Sequence, residues 1–277
     1  MDNQKLERII IIILLLVNLF LLGVVLSDKA ETRRSRAETE EYVTEVLRSS
    51  GVTVGKNARL LQESPARCTL TRNLQQERRI VRGLLGGKYT SEDRGGNIMS
   101  YRSSRGQAVF RGSGVTEGML NPGTIPVRSS AEKTVARLLR HMGISAEKRE
   151  VGISETDGEA YAEYYCCCNG CPVYNAVLRI DFSGESPFLI SGNRVFDDET
   201  ASEGGEGMDS VSALLRFVEL LRSGEFNCTT LEGFRPGYLV SVPVSGESTL
   251  TPVWRLETDG GVLLINAENG RVENGNA

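Results

Sequence analysis

The stretch Tyr161–Phe182, YAEYYCCCNGCPVYNAVLRIDF, decides the fold. Asn169-Gly170 is the strongest short hairpin signal, because both residues tolerate the positive φ that a two-residue turn demands. The flanks YAEYYCCC and CPVYNAVLRIDF carry the Tyr, Val and Ile content of strands. Successive side chains of a strand point to opposite faces, so Cys166 and Cys167 cannot converge on one ion without a bulge. Cys168-Asn-Gly-Cys171 has the C-x-x-C spacing of a metal or redox pair, yet a structural metal site needs a second ligand pair. The sequence offers only lone Cys68, lone Cys228 and the single His141. The cysteines therefore read as small apolar strand residues. A disulfide from Cys68 or Cys228 stays open if the body is extracellular.

Strands flank this hairpin on both sides, at Glu147–Ile153 and Pro187–Phe196, in the manner of an antiparallel meander. Before it, Ser129 and Glu132 form a capping box, Val135, Leu138, Leu139 and Met142 follow at helical spacing, and Gly143 closes the helix. After it, Asp209 is a helix N-cap, Val211, Leu214, Leu215, Val218 and Leu221 repeat the spacing, and Gly224 ends the run. Strands at Gly237–Pro243, Pro252–Thr258, Val262–Asn266 and Arg271–Glu273 complete the half. Closer to the N-terminus, the pattern predicts a strand at Ala66–Leu70, a helix at Leu74–Leu85 closed by Gly86-Gly87, and strands near Ile98–Arg102 and Gln107–Arg111. The Gly- and Pro-dense stretch Gly112–Pro126 reads as a boundary. The expected class is α+β, a body of antiparallel sheets each packed by a helix, with a membrane-proximal domain at 51–127 and a distal domain at 128–277.

Residues Ile9–Leu26, IIIIILLLVNLFLLGVVL, are eighteen uncharged positions interrupted only by Asn18 and Gly23. Such a run is long enough for a short transmembrane helix and exceeds a signal-peptide core of about 7–15 residues. It predicts a cytoplasmic tail at 1–8, an anchor at 9–26, a charged stalk helix at 27–50 ended by Gly51, and a cell-membrane protein with its body outside. A polar side chain in lipid favours a hydrogen-bonding partner. Asn18, with Leu14, Leu15, Leu21, Leu22 and Val25 on its helical face, is thus the expected contact with a partner helix.

Chemistry is sparse. His141 sits beside a helix C-terminus, where a cation complements the dipole. No G-x-S-x-G, H-E-x-x-H or Walker A run occurs. Asp197-Asp198-Glu199, with Glu203 and Glu206, lacks EF-hand spacing. The formal charge of −4 gives no sign of nucleic-acid binding. No catalytic residue, metal ligand or cofactor is assigned, and the chain reads as a non-enzyme.

The short tail Met1-Asp2, the Ile/Leu-rich run with VNLFLL at Val17–Leu22, the hairpin Tyr164–Phe182 and the end PVWRLETDGGVLLINAENGRV at Pro252–Val272 together resemble the YycH/YycI family, and its YycI branch in particular. The last segment is also similar to the close of a PepSY-type module. The resemblance implies a membrane-anchored, non-enzymatic regulator of a WalK-type sensor histidine kinase. Its partners would be the kinase's transmembrane helices, membrane lipid and a sister YycH-like protein. The alternative is a PepSY-type envelope protein that restrains a peptidase or a wall or germination enzyme through its outer sheet.

Overall fold

The computed structural model describes residues 34–273, apart from 57, 113, 126–129, 154–158, 185, 194–197, 202–206 and 242–247. Helix α1 covers residues 34–49. Strands β1 (Thr53–Val54) and β2 (Cys68–Thr71) precede helix α2 (Leu74–Leu85), followed by β3 (Thr90–Asp93), β4 (Ile98–Ser103), β5 (Gly106–Arg111) and β6 (Val115–Leu120). Helix α3 (Ala131–Met142) leads into β7 (Ala146–Ile153), β8 (Ala160–Cys168), β9 (Cys171–Ser183), β10 (Ser186–Asn193) and β11 (Asp198–Ala201). After helix α4 (Ser210–Ser223) come β12 (Thr230–Ser241), β13 (Ser248–Thr258), β14 (Gly261–Asn266) and β15 (Val272–Glu273).

The helices stop where their caps dictate. Asn73 accepts from the amides of Gln75 and Gln76 to open α2, and Asp209 accepts from Ser212 to open α4. For α3 the cap is Ser130, accepting from Lys133, rather than Ser129. Glu132 is then one position early for a capping box and pairs instead with Lys148 at 2.8 Å. Gly143 and Gly224 close α3 and α4 in the left-handed conformation, where a Cβ would be strained.

The expected class is corrected by the sheet. Among the described residues all fifteen strands join one mixed sheet, in which a path runs β11-β2-β13-β12-β9-β10-β6-β5-β4-β3. Separate antiparallel sheets were expected, yet β12 runs parallel to both β1 and β9, and the Gly- and Pro-dense stretch itself supplies β6, which pairs with β10. The physical reason lies in β12. It begins at Thr230, seven residues before the expected start, because Gly233 and Pro236 look like breakers but sit in a strand paired with β13 along its length. The added residues Thr230 and Leu231 pair with β1 of the expected proximal domain, and Tyr238 pairs with Val173 of β9, so β12 joins strands that were expected in separate sheets.

That seam is closed by an amide side chain. Backbone pairing between β9 and β12 is confined to Tyr238 and Val173. Beyond it, Asn175 Nδ2 donates to the Val240 carbonyl at 2.8 Å, and the Val240 amide donates back to Asn175 Oδ1 at 2.8 Å. The amide group thus copies a strand's donor and acceptor where the backbones diverge. The approach also requires a missing side chain. A Cβ on Gly237 would lie 2.7 Å from the Pro172 carbonyl oxygen and against the Tyr174 ring. Gly237→Ala is therefore expected to cost about 1–3 kcal/mol as overpacking, read as a lower denaturant midpoint; an unchanged midpoint would show that the seam can open without strain.

Helices cover one side of the sheet. One apolar core gathers α2 and α3 over β4, β5, β6, β8 and β9, with Leu84, Phe110, Leu139, Met142, Leu178 and Ile180 among its buried members. A second holds Val43 and Leu47 of α1 with Phe217, Phe234, Trp254 and Ile265. Along β12, Phe234 and Tyr238 belong to these two cores while the alternate residue Leu239 joins a small third cluster with Tyr174, Val253 and Leu264. The alternation places that cluster on the opposite side of the sheet.

The single-pass membrane localisation is corrected too. Among the described residues no helix is long and apolar enough to cross a membrane. At about 1.5 Å per residue, α2, α3 and α4 reach only about 18–21 Å, well short of a hydrocarbon core near 30 Å. Helix α1 turns Val43 and Leu47 into protein core, and its exposed positions are largely charged. The anchor expected at 9–26 and the tail at 1–8 lie outside the described residues.

Candidate functional site

The side of the sheet opposite the helices carries a run of tyrosines, arginines and carboxylates, placed there by strand alternation. In β8, Ala162, Tyr164, Cys166 and Cys168 are buried toward the helices, and Tyr161, Glu163, Tyr165 and Cys167 alternate with them at partial exposure. In β9, Leu178, Ile180 and Phe182 are buried and Arg179 and Asp181 take the other face. In β13, Trp254 and Leu256 are buried in the helix-side core and Arg255 and Glu257 alternate away. Arg235 of β12 joins the same face.

At the seam these groups interlock. The rings of Tyr165 and Tyr174 meet edge to face at 5.5 Å. The Arg255 guanidinium carbon lies 4.9 Å from the Tyr174 ring centroid and 5.7 Å from that of Tyr165, and its Nη1 donates to the Tyr165 hydroxyl at 3.0 Å. Arg255 Nε donates to Glu257 at 3.0 Å, Arg235 bridges Glu257 at 3.2 Å and Glu147 at 2.8 Å, and Arg149 stands over Tyr165 at 5.5 Å. Farther along, Arg179 covers Tyr161 at 4.2 Å and binds Asp181 at 2.7 Å, while Tyr161 donates to Glu150 at 2.8 Å. Burial pushes the Tyr174 hydroxyl well above its ordinary value, and the hydrogen bond to Glu150 raises Tyr161. Both phenols stay protonated donors at neutral pH. The surface is preorganised, since Arg149, Arg179 and Arg255 are each held by a carboxylate and an aromatic face, and Arg235 by two carboxylates, before any partner arrives.

Other features are accounted for structurally. All six cysteines are free thiols. Burial, with the nearby Glu147 charge, pushes Cys167 up to about 11 and raises Cys171 as well. Such thiols remain protonated, which disfavours the redox reading of C-x-x-C. Among the described residues no group of three or more His, Cys, Asp or Glu could hold a metal ion. Asp198, of the acidic run, lies in β11 opposite Thr71. A hollow of about 470 Å³ is lined by Ser50, Leu221, Asn227, Cys228, Thr229, Asp259 and Gly260. Its carboxylate is already occupied: Asp259 accepts from the amides of Thr229 and Thr230 and from the Thr229 hydroxyl, and these bonds hold it down at about 2. His141 is exposed at the end of α3.

The expected contact residues Leu14, Leu15, Asn18, Leu21, Leu22 and Val25 lie outside the described residues. The open-face cluster was not singled out from sequence. Its only signal is period two, in Tyr161-x-Glu163-x-Tyr165, Arg179-x-Asp181 and Arg255-x-Glu257, and that pattern by itself describes any solvated sheet face.

No family model matches the chain, and no curated protein matches it. Among solved structures, an uncharacterized protein from Eubacterium rectale ATCC 33656 is similar, at 11% identity and a TM-score of 0.48, over 80% of this chain and 89% of that one.

Proposed function

We propose that the chain is a non-enzymatic regulatory module that works by protein contact through the open face of its sheet. One observation supports this reading above others: a preorganised Tyr–Arg surface around Tyr165, Tyr174, Arg149, Arg235 and Arg255, on the side of the sheet that the described helices leave uncovered. Tyr and Arg are enriched at interface cores and among the residues that dominate binding energy. Their entropy of ordering has largely been spent already, which favours affinity.

The sequence resemblance points to a sensor histidine kinase as the partner. The rival partner is a peptidase or wall hydrolase, which such an outer sheet face would engage equally well. Crosslinking of the full chain in its native cells, followed by purification, separates them. Recovery of a kinase supports the first reading, and recovery of a hydrolase supports the second. In either case Arg149→Glu with Tyr161→Ala, two changes at the accessible rim, is expected to reduce capture at least about tenfold, as loss of contacts worth roughly 1.4 kcal/mol or more would. Undiminished capture would remove the open face from the mechanism.

A further inference from the structure

Helices α2 and α3 lie side by side on the sheet. A Cβ on Gly83 would come 2.8 Å from Met142 Cγ, and one on Gly143 would come 2.7 Å from the Arg79 guanidinium carbon, so the two helices touch and Arg79 reaches across the end of α3. Their inner faces bury Ile80, Val81, Leu84 and Leu85 of α2 and Val135, Leu138, Leu139 and Met142 of α3. Their outer faces expose Arg78, Arg79 and Arg82 on α2 and Lys133, Arg137 and Arg140 on α3.

Among the described residues none of these six cations meets a carboxylate. The outer face of the pair carries one acidic residue, Glu132, and Lys148 of β7 takes it at 2.8 Å. On the sheet's open face the pattern differs. The whole chain has a formal charge of −4, and Arg149, Arg179, Arg235 and Arg255 all have carboxylate partners. Helix dipoles explain Arg82 and Arg140, which sit in last turns. They do not explain Lys133 in the first turn of α3, or Arg78 and Arg82 and Lys133 and Arg137, which are like charges at i,i+4 and oppose their own helices.

We propose that this helix face is a docking surface for an acidic polypeptide segment of a partner protein. Charge complementarity supplies the argument. Five of the six cations are arginines, whose planar fork grips a carboxylate through two bonds. Rows of cations spaced i,i+4 along adjacent helices repeat at about 6 Å, matching the about 6.6–6.8 Å between alternate side chains of an extended acidic strand. A nucleic acid is the poorer fit. Both helices lie flat against the sheet, so neither projects into a groove, and the exposed face holds no Phe, Tyr or Trp for base stacking, only His141 at the end of α3. This surface lies across the sheet from the open face, so one protein could use both at once.

The test titrates the full chain with a fluorescent oligoglutamate peptide and reads anisotropy. Binding is expected at about 0.05 M salt and should weaken at least about tenfold by about 0.5 M. The variant Arg78→Gln/Arg79→Gln/Arg137→Gln/Arg140→Gln is expected to weaken it to a similar extent, with an unchanged circular dichroism spectrum. Neutralising four exposed cations elsewhere, Arg48, Arg94, Arg102 and Arg222, is expected to leave binding intact. Equal loss in both variants would reduce the effect to net charge and overturn the site, as would no loss in the first. A DNA duplex that binds more tightly than the peptide, with the same variant sensitivity, would overturn the assignment to an acidic polypeptide.

Discussion

Replacing Glu77 with alanine is expected to lower the unfolding free energy by about 3–5 kcal/mol, because it strands a buried partner charge. The Glu77 side chain is 0% exposed and Arg72 is 18% exposed, paired at 3.0 Å through two guanidinium nitrogens. The Tyr101 hydroxyl donates to the same carboxylate at 3.1 Å, and burial together with that carboxylate pushes Tyr101 up to about 12. Arg72 also donates to the Asn97 carbonyl, so one guanidinium ties the start of α2 to the turn before β4. Removing the carboxylate leaves a half-sequestered cation and a buried phenol without their acceptor. At about 2–4 °C per kcal/mol for a chain of this size, the melting temperature should fall by about 6–20 °C. The triple variant Arg72→Met/Glu77→Leu/Tyr101→Phe removes every member together and is expected to regain most of that loss, since a buried ion pair contributes little net stability against apolar replacements. A single-variant loss below about 1 kcal/mol would mean that water reaches the carboxylate.

This triad illustrates what the sequence discloses and what it conceals. The bounds of α2 are legible from local chemistry, because Leu74–Leu85 follows from apolar spacing, a capping asparagine and Gly86. The charge inside it is not legible, because Glu77 looks like any solvated glutamate until Tyr101 closes over it from β4, twenty-four residues away. The same division holds for the sheet. The hairpin at Asn169-Gly170 is short-range and readable, whereas the parallel contact between β9 and β12 joins residues 65 apart and leaves no periodic trace. Gly237 reads locally only as the start of a strand, yet its missing side chain is what lets Pro172 and Tyr174 approach and the seam form. The open face escaped notice for the opposite reason. Most of its tyrosines and arginines obey the expected alternation, so that only their convergence across five strands distinguishes them from an ordinary polar surface.

Trp254→Ala is the second large effect, expected at about 3–5 kcal/mol through lost apolar contact and the cavity left behind. Trp254 is the only tryptophan, is fully buried, stacks on Phe234 with centroids 4.8 Å apart at 13°, and donates from Nε1 to the Met208 carbonyl at 2.9 Å. That bond fixes the approach to α4, since the Met208 amide donates in turn to Ala267 beyond β14. Trp254→Phe keeps a ring against Phe234 and loses the hydrogen bond, so it should cost about 1–3 kcal/mol, and the difference between the two variants isolates stacking and volume. The parent protein carries a stronger consequence. Trp254 reports on the core under α1 and α4, while the far-ultraviolet signal reports on the whole sheet, and β12 belongs to both cores. If the seam couples them, tryptophan emission and circular dichroism follow one denaturant transition. Trp254→Ala should then shift the entire circular dichroism curve rather than a part of it. Two separated transitions, with only the earlier one moved by the substitution, would show that the halves fold independently and that the contact of β9 with β12 joins them without binding their stabilities together.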